Sequence, residues 1–289
     1  MRFATLDDGR LVVVTGQDVR YVNSVPAGCP DETSAMRRLL HRWGREGLSG
    51  IEPDGDRVDI RTVRFGPPVP DPGKIYAAPV NYVDHQQEMN ESVQVSGLGL
   101  FLKAPTSVVG HQDDVRLPYS GRRFDQEGEV AVVIGRTARN VSEAEALDYV
   151  FGVTGLLDMT MRGHEDRSTR KSFETFTPMG PWIITLDEVP DIENIAFTCR
   201  VNGAIRQQAR TSSLIWGIAK LVSYASSITT LEPGDVITSG TPAGVGPVTD
   251  GDVITLTFDE LDLELSVQVS DEGATDCPTG VPTASAASA

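Results

Sequence analysis

Two acidic residues stand two positions apart at the start of an apolar, β-branched segment, and this spacing could hold a metal ion. Glu127 and Glu129 run directly into residues 130–134, and side chains i and i+2 of an extended chain point to the same face. Two carboxylates this close together raise each other's pKa unless a cation lies between them. The simplest such cation is a divalent metal ion that prefers oxygen ligands. The alternative is the polar face of an amphipathic strand, which a Glu-x-Glu pair on its own favours.

A third carboxylate could join this pair. Asp158 ends a second apolar segment, residues 149–157. If the two segments are neighbouring strands, Asp158 would lie beside Glu127 and Glu129. The sequence would then provide three carboxylates for one divalent ion.

A histidine and a glutamate could together activate water. His85 and Glu88 lie in residues 81–89, which have helical character, so the two side chains would face the same side of a helix. A glutamate that accepts the imidazole N–H fixes the tautomer and raises the basicity of the ring, which leaves the other nitrogen free to take a proton from water. The alternative is a polar pair on the surface, which an isolated His-x-x-Glu favours.

Cationic residues near these groups indicate an anionic substrate. Lys103 lies in a short apolar strand, where an unpaired ammonium would be costly to bury. Arg162 and Lys171 bracket the charged residues 159–173 in an otherwise acidic chain. For Arg167 and Arg170, the favoured interpretation is solvated surface charge.

Composition excludes some classes of partner. The chain of 289 residues has 25 basic and 41 acidic residues, a net charge of −16, which argues against nucleic acid. No apolar stretch approaches the length that a membrane span needs, and the first residues do not have the pattern of a signal peptide. Cys29, Cys199 and Cys277 form no CxxC pattern, which indicates a reducing compartment. We therefore expect a soluble cytoplasmic protein, and the net charge indicates nothing firm about its substrate.

Hydrophobic periodicity and proline positions divide the chain. Residues 3–6, 10–14 and 19–22 read as strands, and residues 33–43 as a helix capped by Asp31 or Thr33. Four prolines in residues 66–73 mark a junction. The prediction is a small N-terminal α+β domain over residues 1–68, a catalytic domain over 69–269 and a disordered tail over 270–289.

The catalytic region contains further recognisable elements. Residues 142–150 read as a helix with a Ser142/Glu145 capping box, residues 197–209 as a hairpin, and residues 215–226 as a helix. The glycine-rich loop 239–246 could contact a carboxylate but lacks the Lys-Ser/Thr of a phosphate-binding loop. The polar residues 90–99 could form a flap over a site.

Six motifs, in this order along the chain, resemble the fumarylacetoacetate hydrolase family. The resemblance covers about residues 73–269. The motifs that carry it are Asn81-Tyr82-x-x-His85, Glu127-x-Glu129-Val-Ala-Val-Val-Ile-Gly, Asp158-x-x-x-Arg162, Lys171-Ser172-Phe173-x-Thr175-Phe176-x-Pro178-x-Gly180-Pro181, Leu231-Glu232-Pro233-Gly234-Asp235-Val236-Ile237 and Ser239-Gly240-Thr241-Pro242-x-Gly244-Val245-Gly246.

The resemblance implies a fold, a site and an activity. The fold would be an α+β mixed β-roll with flanking helices, assembled as a homodimer. Mg²⁺ or Mn²⁺ would be held by Glu127, Glu129 and Asp158. The resemblance also implies a set of catalytic and substrate-contacting residues: His85 and Glu88 activating water, Lys171 near the substrate oxyanion, and Tyr82, Lys103, Arg162, Gln207 and Thr241 at the substrate.

The implied reaction is hydrolysis of a C–C bond in a 2,4-dioxo acid such as an acylpyruvate or fumarylpyruvate. Decarboxylation of an oxaloacetate-type acid or isomerisation of a 2-hydroxymuconate-type acid would use the same enolate without water attack. A binding protein that kept the scaffold is a third interpretation. Three positions depart from the family pattern and bear on the substrate rather than the metal: Pro79-Val80, Gly163 and Glu165.

Overall fold

The computed structural model of this chain describes residues 1–23, 33–47 and 53–280. Cys29 and the predicted cap Asp31 lie outside these ranges, as does the part of the predicted tail beyond residue 280. In the described residues, strands dominate and helices are short.

The first part of the chain forms four strands and one helix. The predicted strands and helix are confirmed there, with bounds β1 Arg2–Thr5, β2 Leu11–Thr15, β3 Asp18–Tyr21, α1 Ala35–Glu46 and β4 Arg57–Asp59. The helix is capped by Ser34, whose Oγ accepts the Arg37 N–H at 3.2 Å, so the predicted cap at Thr33 is wrong by one residue.

The middle of the chain supplies the strands that carry the acidic motifs. Its elements are β5 Ile75–Ala77, α2 Val83–Glu88, α3 Val95–Leu98, β6 Phe101–Lys103, β7 Val108–Val109, β8 Asp114–Arg116, β9 Tyr119–Ser120, β10 Phe124–Gln126, β11 Gly128–Ile134, β12 Val150–Leu157, β13 Thr160–Met161 and α4 Arg167–Arg170.

The last part completes the sheets. Its elements are β14 Thr177–Thr185, β15 Ala196–Val201, β16 Ala204–Arg210, α5 Ile218–Ile228, β17 Val236–Thr238, β18 Gly246–Val248, β19 Val253–Phe258, β20 Leu263–Ser270 and β21 Thr275–Asp276. Short 3-10 helices connect the strands at Ile60–Thr62, Pro105–Ser107, Ala146–Tyr149, Leu186–Glu188, Ile192–Asn194, Thr211–Ser213 and Asp259–Leu261.

One large mixed sheet runs through both predicted domains. Its strand order is β4-β3-β2-β1-β14-β12-β11-β17-β5-β6, and β7 also pairs with β14. The N-terminal strands join through β1, which pairs antiparallel with β14 at Arg2↔Ile184 and Phe3↔Ile183. The predicted boundary at residue 68 therefore separates chain segments that share a sheet.

The central strand β11 is buried on both faces. Alternate side chains Val130 and Val132 pack into the core with the five-stranded sheet β16-β15-β19-β20-β8. Ala131 and Val133 pack into a second core with helix α1. This is why residues 130–134 read as a continuous apolar run rather than an alternating one.

The hairpin prediction is confirmed, and two other local predictions are corrected. Strands β15 and β16 pair antiparallel around Asn202 and Gly203, both at positive φ. Residues 142–150 hold only a 3-10 turn, and the Ser142 Oγ donates to the Glu145 carboxylate at 2.6 Å without capping an α-helix. Within the tail predicted to be disordered, residues 275–276 form strand β21, which pairs parallel with β9.

Candidate metal centre and active site

Strand pairing brings the three predicted carboxylates together. Strands β11 and β12 pair antiparallel with Gly128 opposite Leu157, and the Asp158 N–H donates to the Glu127 carbonyl oxygen at 2.8 Å. Oxygen atoms of Glu127, Glu129 and Asp158 lie within 4.8 Å of one another, and all three residues are buried. The predicted convergence of the three side chains is therefore present.

Burial and neighbouring charges shift the pKa values of Glu129 and Glu127 in opposite directions. Burial raises the pKa of Glu129 to about 8, and the charge of Asp158 contributes to the rise. The Thr238 hydroxyl and the Gly240 N–H, the latter at 2.9 Å, donate to the same Glu129 oxygen. Burial also acts to raise the pKa of Glu127, but the nearby cations outweigh it and hold that pKa well below its usual range.

This donor set fits a hard divalent cation. The ligands are all carboxylate oxygens, which Mg²⁺ and Mn²⁺ accept, and no soft sulfur or imidazole ligand belongs to the cluster. Burial raises the pKa of Glu129, and a bound cation would favour its ionised form. Glu127, Glu129 and Asp158 are the residues that would hold the ion.

Two buried lysines partly neutralise the cluster. Lys171 Nζ donates to Glu127 Oε2 at 2.7 Å, Asp158 Oδ2 at 2.6 Å and Thr160 Oγ1 at 2.7 Å. Lys103 Nζ donates to the other Asp158 oxygen and, at 3.1 Å, to a backbone carbonyl oxygen. Burial acts to lower the pKa of Lys171, but the charges of Asp158 and Glu127 outweigh it and raise that pKa above its usual value.

Arg162 is held by two carboxylates. Its Nε donates to Asp125 Oδ2 at 2.7 Å, and its Nη2 donates to Glu127 Oε1 at 3.1 Å. Burial and these two carboxylates act in opposite directions, and the carboxylates prevail, so the pKa of Arg162 is raised. Its positive charge is therefore already balanced within the protein.

The predicted histidine–glutamate pair forms on helix α2. His85 Nδ1 lies 3.2 Å from Glu88 Oε2, and the other Glu88 oxygen accepts the Gly244 N–H at 2.9 Å. The His85 ring is buried and lines the same cavity as the carboxylate cluster. The glycine-rich loop thus anchors the glutamate that orients the histidine.

One cavity contains most of these groups. It is lined by Ala78, Pro79, Val80, His85, Met89, Glu91, Phe101, Glu127, Glu129, Asp158, Arg162, Arg167, Arg170, Lys171 and Thr241. A separate open groove between residues 60–65 and the β19–β20 hairpin contains none of these residues.

Three predicted substrate residues do not line this cavity. Lys103 is fully buried and supports Asp158. Gln207 accepts the Gly128 N–H at 2.8 Å and donates to Thr241 Oγ1 at 2.7 Å, so it joins β11 to the loop after β17. Tyr82 is fully buried, and its hydroxyl has no hydrogen-bond partner among the described residues.

The structure adds two cavity residues that sequence reasoning assigned to the surface. Arg167 and Arg170 of α4 both line the cavity. The interpretation of Arg170 as solvated surface charge is wrong, since its Nε and Nη1 atoms are buried. One sequence feature could have indicated that Arg170 lies in the cavity: it is directly followed by Lys171. Adjacent cations repel each other unless an anion lies near both.

Comparison with known proteins finds relatives that match most of the chain. Residues 74–269 match the family described as fumarylacetoacetate (FAA) hydrolase C-terminal. The maleylpyruvate hydrolase of Aquipseudomonas alcaligenes is 46% identical over 272 residues, which cover 88% of this chain and 94% of that protein. The mitochondrial oxaloacetate tautomerase of Xenopus laevis is 37% identical over 262 residues, 85% of this chain and 82% of that protein.

A solved structure extends the similarity to three dimensions. The maleylpyruvate hydrolase of Sphingobium sp. SYK-6, in complex with manganese(II) and pyruvate, aligns with a TM-score of 0.80 and 38% identity. The alignment covers 96% of this chain and 100% of that one. The predicted fold class and the predicted family resemblance are therefore confirmed.

Proposed function

This chain belongs to the fumarylacetoacetate hydrolase family, and we propose that it is a divalent-metal-dependent hydrolase that cleaves a C–C bond in a 2,4-dioxo acid of the acylpyruvate type. The observation that carries this proposal is the convergence of three buried carboxylates in one cavity with His85, whose Nδ1 lies 3.2 Å from Glu88. The manganese and pyruvate bound by the Sphingobium relative support it.

The three carboxylates would hold the ion, and Mg²⁺ or Mn²⁺ is the cofactor that their oxygens suit. When bound, the ion would supply Lewis-acid polarisation of the 2-oxo acid. The protein contributes the orientation of the ligands: Lys103 fixes one oxygen of Asp158, while Thr238 and Gly240 fix one oxygen of Glu129.

His85 would act as the general base. Its Nδ1 faces Glu88, so its Nε2 is the nitrogen left to accept a proton from water. The resulting hydroxide would add to the distal carbonyl carbon, and cleavage of the adjacent C–C bond would release a carboxylic acid and the enolate of pyruvate. The proton held by His85 would then return to the enolate carbon and give pyruvate. The positive charge of Lys171 would stabilise the oxygen that gains negative charge as the bond breaks.

Decarboxylation and isomerisation of related acids are the alternative. Neither reaction needs water to attack a carbonyl group, whereas the oriented His85 in this cavity suits that step. The oxaloacetate tautomerase among the relatives supports keeping this alternative open. Product identity therefore decides between the reactions.

The test is a product assay with one variant. Purified protein with Mg²⁺ or Mn²⁺ is incubated with acetylpyruvate or oxaloacetate, and the products are identified by NMR. We expect pyruvate and acetate from acetylpyruvate, and we expect His85→Gln to lower the hydrolysis rate by at least about 100-fold, because it removes the general base. Mn²⁺ affinity, measured by calorimetry, should stay within about twofold.

A different result would reject parts of this proposal. Retained hydrolysis in His85→Gln would remove the histidine from the mechanism. Carbon dioxide from oxaloacetate without any cleavage of acetylpyruvate would favour decarboxylation. Turnover that is indifferent to a chelator would contradict the role of the metal.

The proposal extends to assembly and location. We expect the protein to be a homodimer and to be located in the cytoplasm. The free thiols of Cys199 and Cys277 support a reducing compartment. Among the described residues, every helix is too short or too polar to cross a lipid bilayer.

A further inference from the structure

The glutamate that orients His85 is itself held by a backbone amide. Glu88 Oε2 lies 3.2 Å from His85 Nδ1, and Glu88 Oε1 accepts the Gly244 N–H at 2.9 Å. The Glu88 side chain is 32% exposed and lies at the end of the short helix α2. A partly exposed glutamate loses rotamer freedom when it is fixed in one position. Its orientation towards His85 therefore depends on how firmly the Gly244 amide is placed.

A buried glutamine side chain holds Gly244. Gln126 Nε2 donates to the Gly244 carbonyl oxygen at 3.0 Å, and Gln126 Oε1 accepts the Gly246 N–H at 3.1 Å. Gln126 is fully buried at the end of β10, where it pairs with Gly246 of β18. A buried amide group that lost either bond would leave a polar atom without a partner, so this side chain has little freedom to move. Gln126 therefore fixes the position of the glycine that binds Glu88.

Gly244 also packs closely against strand β16. A Cβ atom on Gly244 would lie 1.9 Å from the Arg206 carbonyl oxygen, and the φ angle of Gly244 is +99°, in the region that favours glycine. The glycine-rich loop thus passes directly over the backbone of β16 at this point. Its amide has one narrow position from which it reaches Glu88, and the two hydrogen bonds of Gln126 help to maintain that position.

We propose that Gln126 is a positioning residue for the general base: it holds Gly244, whose amide orients Glu88 and, through Glu88, the ring of His85. The inference rests on the proposed function and adds a residue that lies outside the cavity lining. Gln126 directly precedes the carboxylate Glu127 in sequence. The same segment of chain would therefore align the histidine with the carboxylate cluster.

The first test is a double-mutant cycle on the hydrolysis of acetylpyruvate at saturating Mn²⁺. Gln126→Met keeps the volume of the side chain and removes both hydrogen bonds. We expect kcat to fall about tenfold with KM within about twofold, because the base is misplaced and the substrate is not touched. In a Glu88→Ala background, the same substitution should cost less than about twofold, since the link is already broken. Equal costs in the two backgrounds would contradict the inference.

A matched control removes the same pattern of hydrogen bonds elsewhere. Thr211 is buried, and its Oγ1 accepts the Ile195 N–H at 2.8 Å and donates to the Ile192 carbonyl oxygen at 2.9 Å. Thr211 lies outside the cavity lining, and valine has its shape. Thr211→Val should lower the urea midpoint and leave kcat unchanged. A tenfold loss of kcat in this variant as well would show that general destabilisation explains the effect of Gln126→Met.

A spectroscopic measurement tests the inference without turnover. Nitrogen-15 NMR at about pH 8.5, where an ordinary imidazole is neutral, reports which ring nitrogen of His85 carries the proton. The signals are assigned by their loss in His85→Gln. We expect the proton on Nδ1 in wild type and in Thr211→Val, and a shift towards Nε2 in Gln126→Met and Glu88→Ala, because the Glu88 carboxylate no longer accepts the Nδ1–H.

A second variant covers the case in which Gln126→Met does not fold. Gln126→Glu keeps an acceptor for the Gly246 N–H and replaces the donor to Gly244 by an oxygen, so the same shift towards Nε2 is expected. An unchanged tautomer in the folded Gln126 variants would overturn the inference. If wild type does not cleave acetylpyruvate, the proposed function fails, and the tautomer of His85 still decides whether Gln126 positions the ring.

Discussion

At the scale of single residues, two departures from the family pattern form one structural unit. Arg122 Nη1 donates to Glu165 Oε1 at 2.9 Å and Nη2 donates to the Arg162 carbonyl oxygen at 3.0 Å. A Cβ atom on Gly163 would lie 2.1 Å from Glu165 Oε2 and 2.3 Å from Arg122 Nη2. A larger residue at position 163 would displace this ion pair, so Gly163 and Glu165 belong together and support the backbone of Arg162 from outside the cavity.

The ion pair predicts a pH-dependent loss of stability. Its hydrogen bonds to Arg122 lower the pKa of Glu165 to about 2 from the model-compound value of 4.5. A depressed carboxylate pKa stabilises the folded state above about pH 4.5, and this contribution is lost as the pH falls towards 2. Glu165→Gln should therefore lower the urea midpoint at pH 7, and its difference from wild type should shrink between pH 5 and about 2.

A second carboxylate provides the matched control. Asp59 also has a pKa lowered to about 2, by hydrogen bonds to Arg61, but this pair is solvent-exposed. Because solvent screens exposed pairs, Asp59→Asn should change the midpoint much less. If both substitutions changed the urea midpoint equally, the contacts of Glu165 would stabilise the protein no more than an exposed ion pair does.

Sequence reasoning located the carboxylates better than the arginines. Glu127, Glu129 and Asp158 could be placed because the two-residue period of a strand and the pairing of adjacent apolar segments are local rules. Arg170 could not be placed in this way, because the burial of one side of a four-residue helix depends on the residues that pack over it. The hydrogen bond between the Gln207 side chain and the Gly128 N–H also joins strands that are distant in sequence, and no local pattern indicates it.

At the scale of elements, strands were predictable and their partners were not. The positions of β1 to β3 follow from turn residues and β-branched runs. The pairing of Phe3 with Ile183 joins residues that are far apart in sequence, and nothing in their periodicity indicates it. The N-terminal unit was therefore predicted as separate, although its strands extend the sheet that carries the site.

Helix α1 packs on the sheet through two glycines. A Cβ atom on Gly44 would lie 2.6 Å from the Gly135 carbonyl oxygen, and one on Gly135 would lie 2.2 Å from the Trp43 ring. The Trp43 ring itself contacts Phe151 edge-on, with ring centroids 5.2 Å apart. The absence of side chains at both positions allows the helix to approach the end of β11.

This contact predicts a local loss of stability. Gly135→Ala should lower the free energy of unfolding by about 1–3 kcal/mol, because the new methyl group has no space beside the indole. Hydrogen exchange of the α1 amides should increase more than that of β11. Gly246→Ala is the control, since its Cβ would meet the flexible end of Arg206 at 3.2 Å and Gln126 Oε1 at an ordinary 3.9 Å. Similar effects of both substitutions would argue against tight packing at Gly135.

At the scale of the whole molecule, one sheet edge has the properties of an interface. Strand β16 ends the five-stranded sheet, and Ile205 on it is 57% exposed. An unpaired edge with an exposed apolar side chain favours association with another chain. This location supports the expected homodimer, because a two-fold axis would use the same patch on both copies.

Sedimentation can test this expectation. The mass of one chain is 31.1 kDa, so we expect a species of about twice that mass for wild type. Ile205→Asp should shift the population towards the single chain, because it places a charge at the apolar edge. Ile228→Asp is the control, since Ile228 is also exposed, at 44%, but ends helix α5 instead. Dissociation by both variants or by neither would place the interface elsewhere.

The ammonium of Lys171 lies between Glu127 and Asp158 and acts as an internal counterion. With Lys103 on the far oxygen of Asp158, the polypeptide compensates most of its buried acidic charge by itself. We therefore expect the chain to reach its native packing during synthesis in metal-poor conditions and to acquire the ion afterwards. Maturation and metal uptake would then be separate steps, and cellular metal supply would control activity without controlling how much folded protein accumulates.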